Sequence, residues 1–187
     1  MRFLFWLFSA ALIAIVTHLS YVLFVPTQNF SDRIDKALKT QRENRFTILD
    51  GNLQAGLMPF VSESDLVLLC KYDISKGPVR LAMTVPDGYW TLSVYTIHGR
   101  QVYALNDRQA DARTFSVKLV KAKSFLSQLT NVGGDEGDAN LEDIGWRVEL
   151  SEDKGLAFLW MPYSDKWRRI EAMAELSKSS CEPLPPQ

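Results

Sequence analysis

Two histidines and two cysteines are all that 187 residues supply for imidazole or thiol chemistry. His98 sits in Ile97-His98-Gly99-Arg100, where Gly99 can provide the positive φ of a hairpin turn. A general base needs a nucleophile within hydrogen-bond reach. No Gly-x-Ser-x-Gly elbow occurs, and neither cysteine stands beside a histidine. His98 therefore reads as a turn residue. So few imidazoles and thiols leave little from which to build a His- or Cys-rich metal centre. The acidic stretch Asp135, Glu136, Asp138, Glu142 and Asp143 fails calcium-loop spacing, because Gly137 stands where an oxygen ligand is required. It reads as a solvated loop. Gly133-Gly134 precedes no helix that could hold a phosphate. These motifs lead to no expected catalytic residue, metal or cofactor.

The densest polar run is Asn106-Asp107-Arg108-Gln109, directly after an apolar row. Asn106 and Asp107 can close a turn there, and Arg108 can pair with Asp107 or reach an anionic ligand. If the domain has a ligand site, Asn106, Asp107, Arg108 and Tyr95 mark its place, with Tyr103 and Trp90 as neighbouring aromatic surfaces. Cys70 and Cys181 allow two readings. Either they pair, tying the C-terminal end to a strand, or one is a buried hydrophobe and the other a surface thiol. A pair closing about 110 residues would contribute on the order of 4 kcal/mol in the chain-entropy model. It would also imply an oxidising compartment.

These residues need a scaffold, and the charge balance restricts its class. With 21 basic and 22 acidic side chains the formal net charge is -1, which excludes a strongly basic nucleic-acid binder and an acidic disordered tail. The 47% hydrophobic share is unevenly spread. From Phe3 to Val25, 23 residues pass without an Asp, Glu, Lys or Arg. As a helix that run reaches roughly 34 Å, enough for a hydrocarbon core of about 30 Å. Pro26 marks its expected end, with Tyr21 and Phe24 near the interface. A signal peptide is the competing reading, but Ser20-Tyr21-Val22-Leu23-Phe24-Val25-Pro26 contains no small-residue cleavage site. We read residues 3–25 as an uncleaved single-pass anchor. His18 has no charged partner within the span, so it is a poor proton relay and reads as facing the interface or another helix.

Flanking charge does not orient the span. Arg33, Lys36, Lys39, Arg42 and Arg45 follow it, but large domains translocate largely regardless of charge. Residues 26–45 read as a juxtamembrane helix capped by Ser31, with Ile34 and Leu38 on one face. From 46 to 187 a β-rich domain is expected. Rows of period two cover 66–73, 79–85, 90–95, 115–119, 144–150 and 156–160, a further strand is expected at 101–105, and Gly77-Pro78, Pro86-Asp87-Gly88 and His98-Gly99 lie between them. So many strands with few helical spacers favour a mainly β fold, an antiparallel β-sandwich or jelly-roll-like domain, over a parallel sheet. Residues 121–129 read as a short helix. Residues 165–178, capped by Ser164, read as an amphipathic C-terminal helix whose stripe of Trp167, Ile170, Met173, Ala174 and Leu176 should cover the sheet.

Three segments in order carry a family resemblance: Cys70-Lys71-Tyr72-Asp73-Ile74-Ser75-Lys76-Gly77-Pro78-Val79-Arg80, then Tyr89-Trp90-Thr91-Leu92-Ser93-Val94-Tyr95, then Val102-Tyr103-Ala104-Leu105-Asn106-Asp107-Arg108. The chain from about residue 45 to Cys181 resembles the domain-of-unknown-function family numbered twelve fifty-four, and within it the short membrane-anchored bacterial members. The resemblance implies a β-sandwich or jelly-roll-like domain in an anchored envelope protein. It also implies a companion membrane protein bearing the domain numbered twelve fourteen, and it favours the Cys70–Cys181 pairing. It supplies no reaction. The expectation is therefore a bitopic protein of the bacterial inner membrane presenting a periplasmic β-rich binding or assembly module. The alternative is an envelope enzyme completed by a companion subunit, using Asp107 and Arg108.

Overall fold

The structure is a computed structural model and describes residues 2–39, 41–49, 51–58, 61–122 and 145–185. Its elements are α1 (Arg2–Ala37), β1 (Phe46–Ile48), α2 (Gly51–Leu57), β2 (Leu66–Asp73), β3 (Val79–Thr84), β4 (Thr91–Thr96), β5 (Gln101–Asn106), a single helical turn α3 (Asp107–Ala110), β6 (Thr114–Lys121), β7 (Gly145–Leu150), β8 (Lys154–Met161), α4 (Lys166–Leu176) and β9 (Ser180–Pro183). Five strands form one sheet in the order β1-β2-β8-β4-β5, and four form a second in the order β7-β6-β3-β9. The mainly β fold with an N-terminal apolar helix and a C-terminal helix is as the sequence indicates.

The alternation of β3 and β4 explains why the sheets stack. Val79, Leu81 and Met83 of β3 and Leu92 and Val94 of β4 are buried in one common core, while the residues between them are half-exposed. Trp90 stacks on Phe115 at 4.9 Å between ring centroids, and Phe115 meets Trp146 edge-on at 5.7 Å. Trp90 is 2% exposed, so it is core and not an aromatic surface open to a ligand.

Strands β2 and β8 behave differently. Leu66, Leu68, Cys70 and Tyr72 face the second sheet, but Val67 and Leu69 on the opposite face are equally buried. On β8, Ala157, Leu159 and Met161 face inward, while Leu156 and Phe158 are buried outward. Neither strand is half-buried, because helices cover the outer face. Ile34 and Leu38, from the end of α1 and the turn after it, pack there with Leu49. Burying Ile34 and Leu38 contributes about 1.5–3 kcal/mol each.

This packing changes the expected boundaries. Helix α1 is continuous over 36 residues, so Pro26 does not end the helix and Ser31 does not start a separate one, although the stretch with the length and hydropathy of a membrane span stops at Phe24. A proline inside a helix forfeits one backbone hydrogen bond and crowds the preceding turn, costing about 3 kcal/mol. The apolar run before it and the buried Ile34 and Leu38 after it fix both ends of the helix. The helix stops at Ala37 and not at Arg45. Asn44, at φ 54°, then turns the chain into β1, a conformation Asn tolerates better than most side chains. Its carboxamide donates to the Asp73 carbonyl at 3.1 Å and accepts from the Asp73 amide at 2.8 Å, continuing the ladder.

Other differences follow from pairing. β6 and β7 run parallel, whereas every other pair is antiparallel. A parallel pair needs a long connection, and residues 122–144 supply the length. The helix expected at 121–129 and the acidic loop at 130–143 fall, beyond Ala122, outside the described residues. Helix α4 is capped by Asp165, whose carboxylate accepts from the Trp167 amide at 2.9 Å; Ser164 is not the cap. It buries Ala172 and Leu176, one turn apart, and leaves Trp167 and Ile170 exposed at 76% and 51%. The expected stripe is therefore rotated: small Ala172 permits close approach, and the bulkier residues of the first turn point outward.

After α4 the chain forms β9 and pairs with β3, placing Cys181 opposite Leu81. Cys70 and Cys181 form a disulfide, with Cα atoms 6.5 Å apart, and it links the two sheets across the core. Beside it the Tyr72 hydroxyl donates to the Tyr95 carbonyl at 2.9 Å. Gly155 makes this possible, since a Cβ there would lie 2.2 Å from that hydroxyl and 2.1 Å from that carbonyl.

Two outcomes follow. The Cys70→Ser/Cys181→Ser double variant should lose on the order of 4 kcal/mol in denaturant unfolding, against a non-reduced reference. Gly155→Ala should cost about 1–3 kcal/mol by overpacking, and Tyr72→Phe only about 1 kcal/mol; thermal melting of the two variants should rank them in that order.

Candidate functional site

The outer face of the five-stranded sheet is only partly covered. Between the helices and strands β4 and β8 lies an open groove of about 440 Å³. Phe30 and Ile34 of α1, with Leu57 and Met58 at the end of α2, form its helical wall. Thr91, Ser93 and Tyr95 of β4 and Phe158 and Trp160 of β8 form its floor. Alternation puts them there: residues 91, 93 and 95 share one face of β4, and 158 and 160 share that face of β8, in register through Thr91–Trp160 and Ser93–Phe158.

Several polar atoms at the floor already have partners. The Trp160 indole N–H donates to Asp65 Oδ2 at 3.0 Å. Ser93 Oγ accepts from Gln101 Nε2 at 3.3 Å. Tyr95 packs edge-on against Phe158 at 5.7 Å. Asp65 also accepts from the Ser62 and Tyr163 amides, both at 3.3 Å, so one sheltered carboxylate ties together the loops before β2 and after β8, at one end of the sheet. The lining carries no charged side chain. Such a surface suits an apolar ligand more than catalysis.

At the end of the groove near the β4–β5 turn, a Cβ on Gly99 would lie 2.9 Å from the Phe30 ring, and Gly99 has φ 82°. Only glycine fits, and the turn rests directly on α1. His98 is exposed in that turn, as its sequence context suggests. Where the chain passes from α1 into β1, Lys154 Nζ joins Asp73 Oδ2 at 3.0 Å and Glu43 Oε1 at 3.2 Å. Burial alone would raise the Asp73 pKa. Hydrogen bonds from Ser75 and Lys154 outweigh it and hold the carboxyl at about 2.

The structure divides the residues singled out in the sequence. Tyr95 lines the groove, whereas Asn106 is the register partner of Thr91, about 13 Å further along the same face. Asn106 is occupied as a helix cap: its Oδ1 accepts from the Gln109 amide at 3.0 Å, and Gln109 Oε1 accepts from the Asn106 amide at 3.1 Å. That reciprocal box starts α3, a helical turn where the sequence suggests a closing turn, and Asn-x-x-Gln is its visible signal. Arg108 is exposed, and Asp107 Oδ1 is sheltered with no hydrogen-bond partner among the described residues. The four are not brought into one pocket. Sequence reasoning missed Phe30, Met58 and Trp160, because groove and core aromatics look alike in a linear pattern.

A second cleft, of about 880 Å³, lies between the β3–β4 turn and α4. Its walls carry Asp87, Arg113, Arg168, Glu171 and Glu175 beside Tyr89 and Tyr163, and Arg113 pairs with Asp87. Among the described residues no three His, Cys, Asp or Glu side chains converge as a metal site.

The fold has structural counterparts. The VPA0106 protein from Vibrio parahaemolyticus superposes with a TM-score of 0.57 at 13% identity, over 85% of this chain and 37% of that one. An uncharacterised protein from Burkholderia cenocepacia superposes with a TM-score of 0.45 at 11% identity, over 70% of this chain and 34% of that one. The present chain thus spans about a third of the length of either. No family model matches the chain, and no curated protein does. The likeness to the Vibrio protein shows a shared β fold and nothing of its chemistry.

The Lys154 clamp should be acid-sensitive. A carboxyl held below its ordinary value of 3.8 stabilises the folded state fully above that value, and the contribution disappears as pH falls through about 2. Melting curves between pH 5 and 2 should show a loss in the wild type that is missing from Asp73→Asn, which should be less stable at pH 5.

Proposed function

We propose that the chain is a bitopic envelope protein that holds a β-sandwich binding or assembly module close to the membrane surface. The supporting observation is the continuity of α1. Residues Arg2–Phe24 have the length and hydropathy of a membrane span and are not buried against the domain. The same helix continues to Ala37, with Ile34 buried on the outer face of the sheet. A signal sequence passes the same length test, but here removal of the apolar run would cut through one continuous helix. The disulfide is at home in an oxidising compartment, which favours the periplasmic side of an inner membrane for the domain.

The resemblance to the family numbered twelve fifty-four adds a companion-domain membrane protein as partner. The Vibrio chain, much longer than its matched part, fits a picture in which this fold works next to further structure. The alternative, an enzyme completed by that companion, draws on the unpartnered Asp107 Oδ1.

An alkaline phosphatase fused after Gln187 should be active, and the intact mass of the membrane-extracted protein should include residues 1–25. An active cytoplasmic-only reporter at the same position would overturn the topology, and a mass lacking the apolar run would overturn the anchor.

A further inference from the structure

We infer that the groove between α1 and strands β4 and β8 is a binding site for one acyl chain of a bilayer phospholipid. The inference rests on the anchor reading above and goes beyond it by assigning a ligand. Phe30 lies six residues beyond Phe24, where the stretch with the length and hydropathy of a membrane span ends, and therefore about 9 Å further along the same helix. Ile34, one turn on, continues the wall. The route from bilayer to groove is thus one uninterrupted helix, and an apolar chain following it reaches Phe30 first.

The lining selects among occupants. A peptide strand or helix would bring backbone amides and carbonyls that need partners, and burying them unpaired is costly. The groove offers little to satisfy them. Trp160 has committed its indole N–H to Asp65, which leaves the hydroxyls of Thr91, Ser93 and Tyr95 as the few side-chain groups in the lining that could meet them. Nor does the lining hold a charge to meet an ionic headgroup. A polymethylene chain needs only apolar contact, which the faces of Phe158, Trp160 and Tyr95 and the flexible thioether of Met58 supply. The volume of about 440 Å³ lies within the range of sites that take small apolar ligands. The headgroup would stay outside, at the mouth beside Phe30 and the β4–β5 turn.

Photolabelling tests this directly. The full chain is reconstituted in phosphatidylcholine–phosphatidylglycerol bilayers containing a phosphatidylcholine with a diazirine at the end of one acyl chain, and labelled residues are located by mass spectrometry after irradiation. Two sets of labelled peptides are expected, one within residues 2–24 and one containing Met58, Phe158 or Trp160. Ser93→Trp, which fills the groove from its floor, should abolish the second set and leave the first. Thr91→Phe is the independent second variant, and a melting transition near that of the wild type qualifies either one. Label on residues 2–24 alone would overturn the acyl-chain site while leaving the anchor intact. Groove label that survives a folded filling variant, or that spreads evenly over the domain surface, would also overturn it. Absence of label from residues 2–24 would overturn the anchor reading itself, and with it the bilayer as the source of the chain.

Discussion

Strands β2 and β8 are buried on both faces, and most of the architecture answers to that constraint. A segment such as Leu66-Val67-Leu68-Leu69-Cys70 exposes apolar side chains whichever way the strand turns. The second sheet shelters one row, and something else must shelter Val67, Leu69, Leu156 and Phe158. The cover comes from Ile34 and Leu38, with α2 beside them. The element that completes the core is therefore also the continuation of the apolar N-terminal helix. An ordinary flexible linker after residue 25 would leave that face bare. The N-terminal helix and the domain are thus joined through shared buried contacts as well as through the chain.

The inner interface is held by different means. The disulfide joins the five-stranded sheet to the edge strand of the other, while the Trp90–Phe115–Trp146 series packs across the same interface. Tyr72 shows how closely these layers are fitted: its hydroxyl reaches the Tyr95 carbonyl only because residue 155 lacks a side chain. Helix cover on one side and cross-linked sheet on the other leave the outer row of β4 only half-buried. The groove is that remaining gap, walled by Phe30 and Ile34 of α1.

Individual residues show how far a linear pattern carries. The period-two rows locate β2, β3, β4, β6, β7 and β8, since alternation in residue type is written locally. β1 and β9 escaped notice because three or four residues cannot establish a period, and their pairing depends on distant strands. The stripe on α4 was misplaced for a related reason. Apolar spacing marks several possible faces, and the partner surface selected Ala172 and Leu176 over Trp167 and Ile170. Trp90 looked like an available surface but fills the core. Asn106, expected at a ligand, spends its side chain on a cap. Tyr95 does line a groove, but without Asn106 or Arg108 beside it.

Composition and local pattern were enough to specify an apolar N-terminal helix, a mainly β domain and a terminal helix. Each of these depends on the type of a residue and its near neighbours. Tertiary structure alone decided that Pro26 lies inside a continuous helix, that β6 and β7 run parallel, that Cys181 enters a strand, and that an apolar groove opens beside α1. Those outcomes depend on which surfaces meet, because burial energy is gained only when two distant segments cover one another.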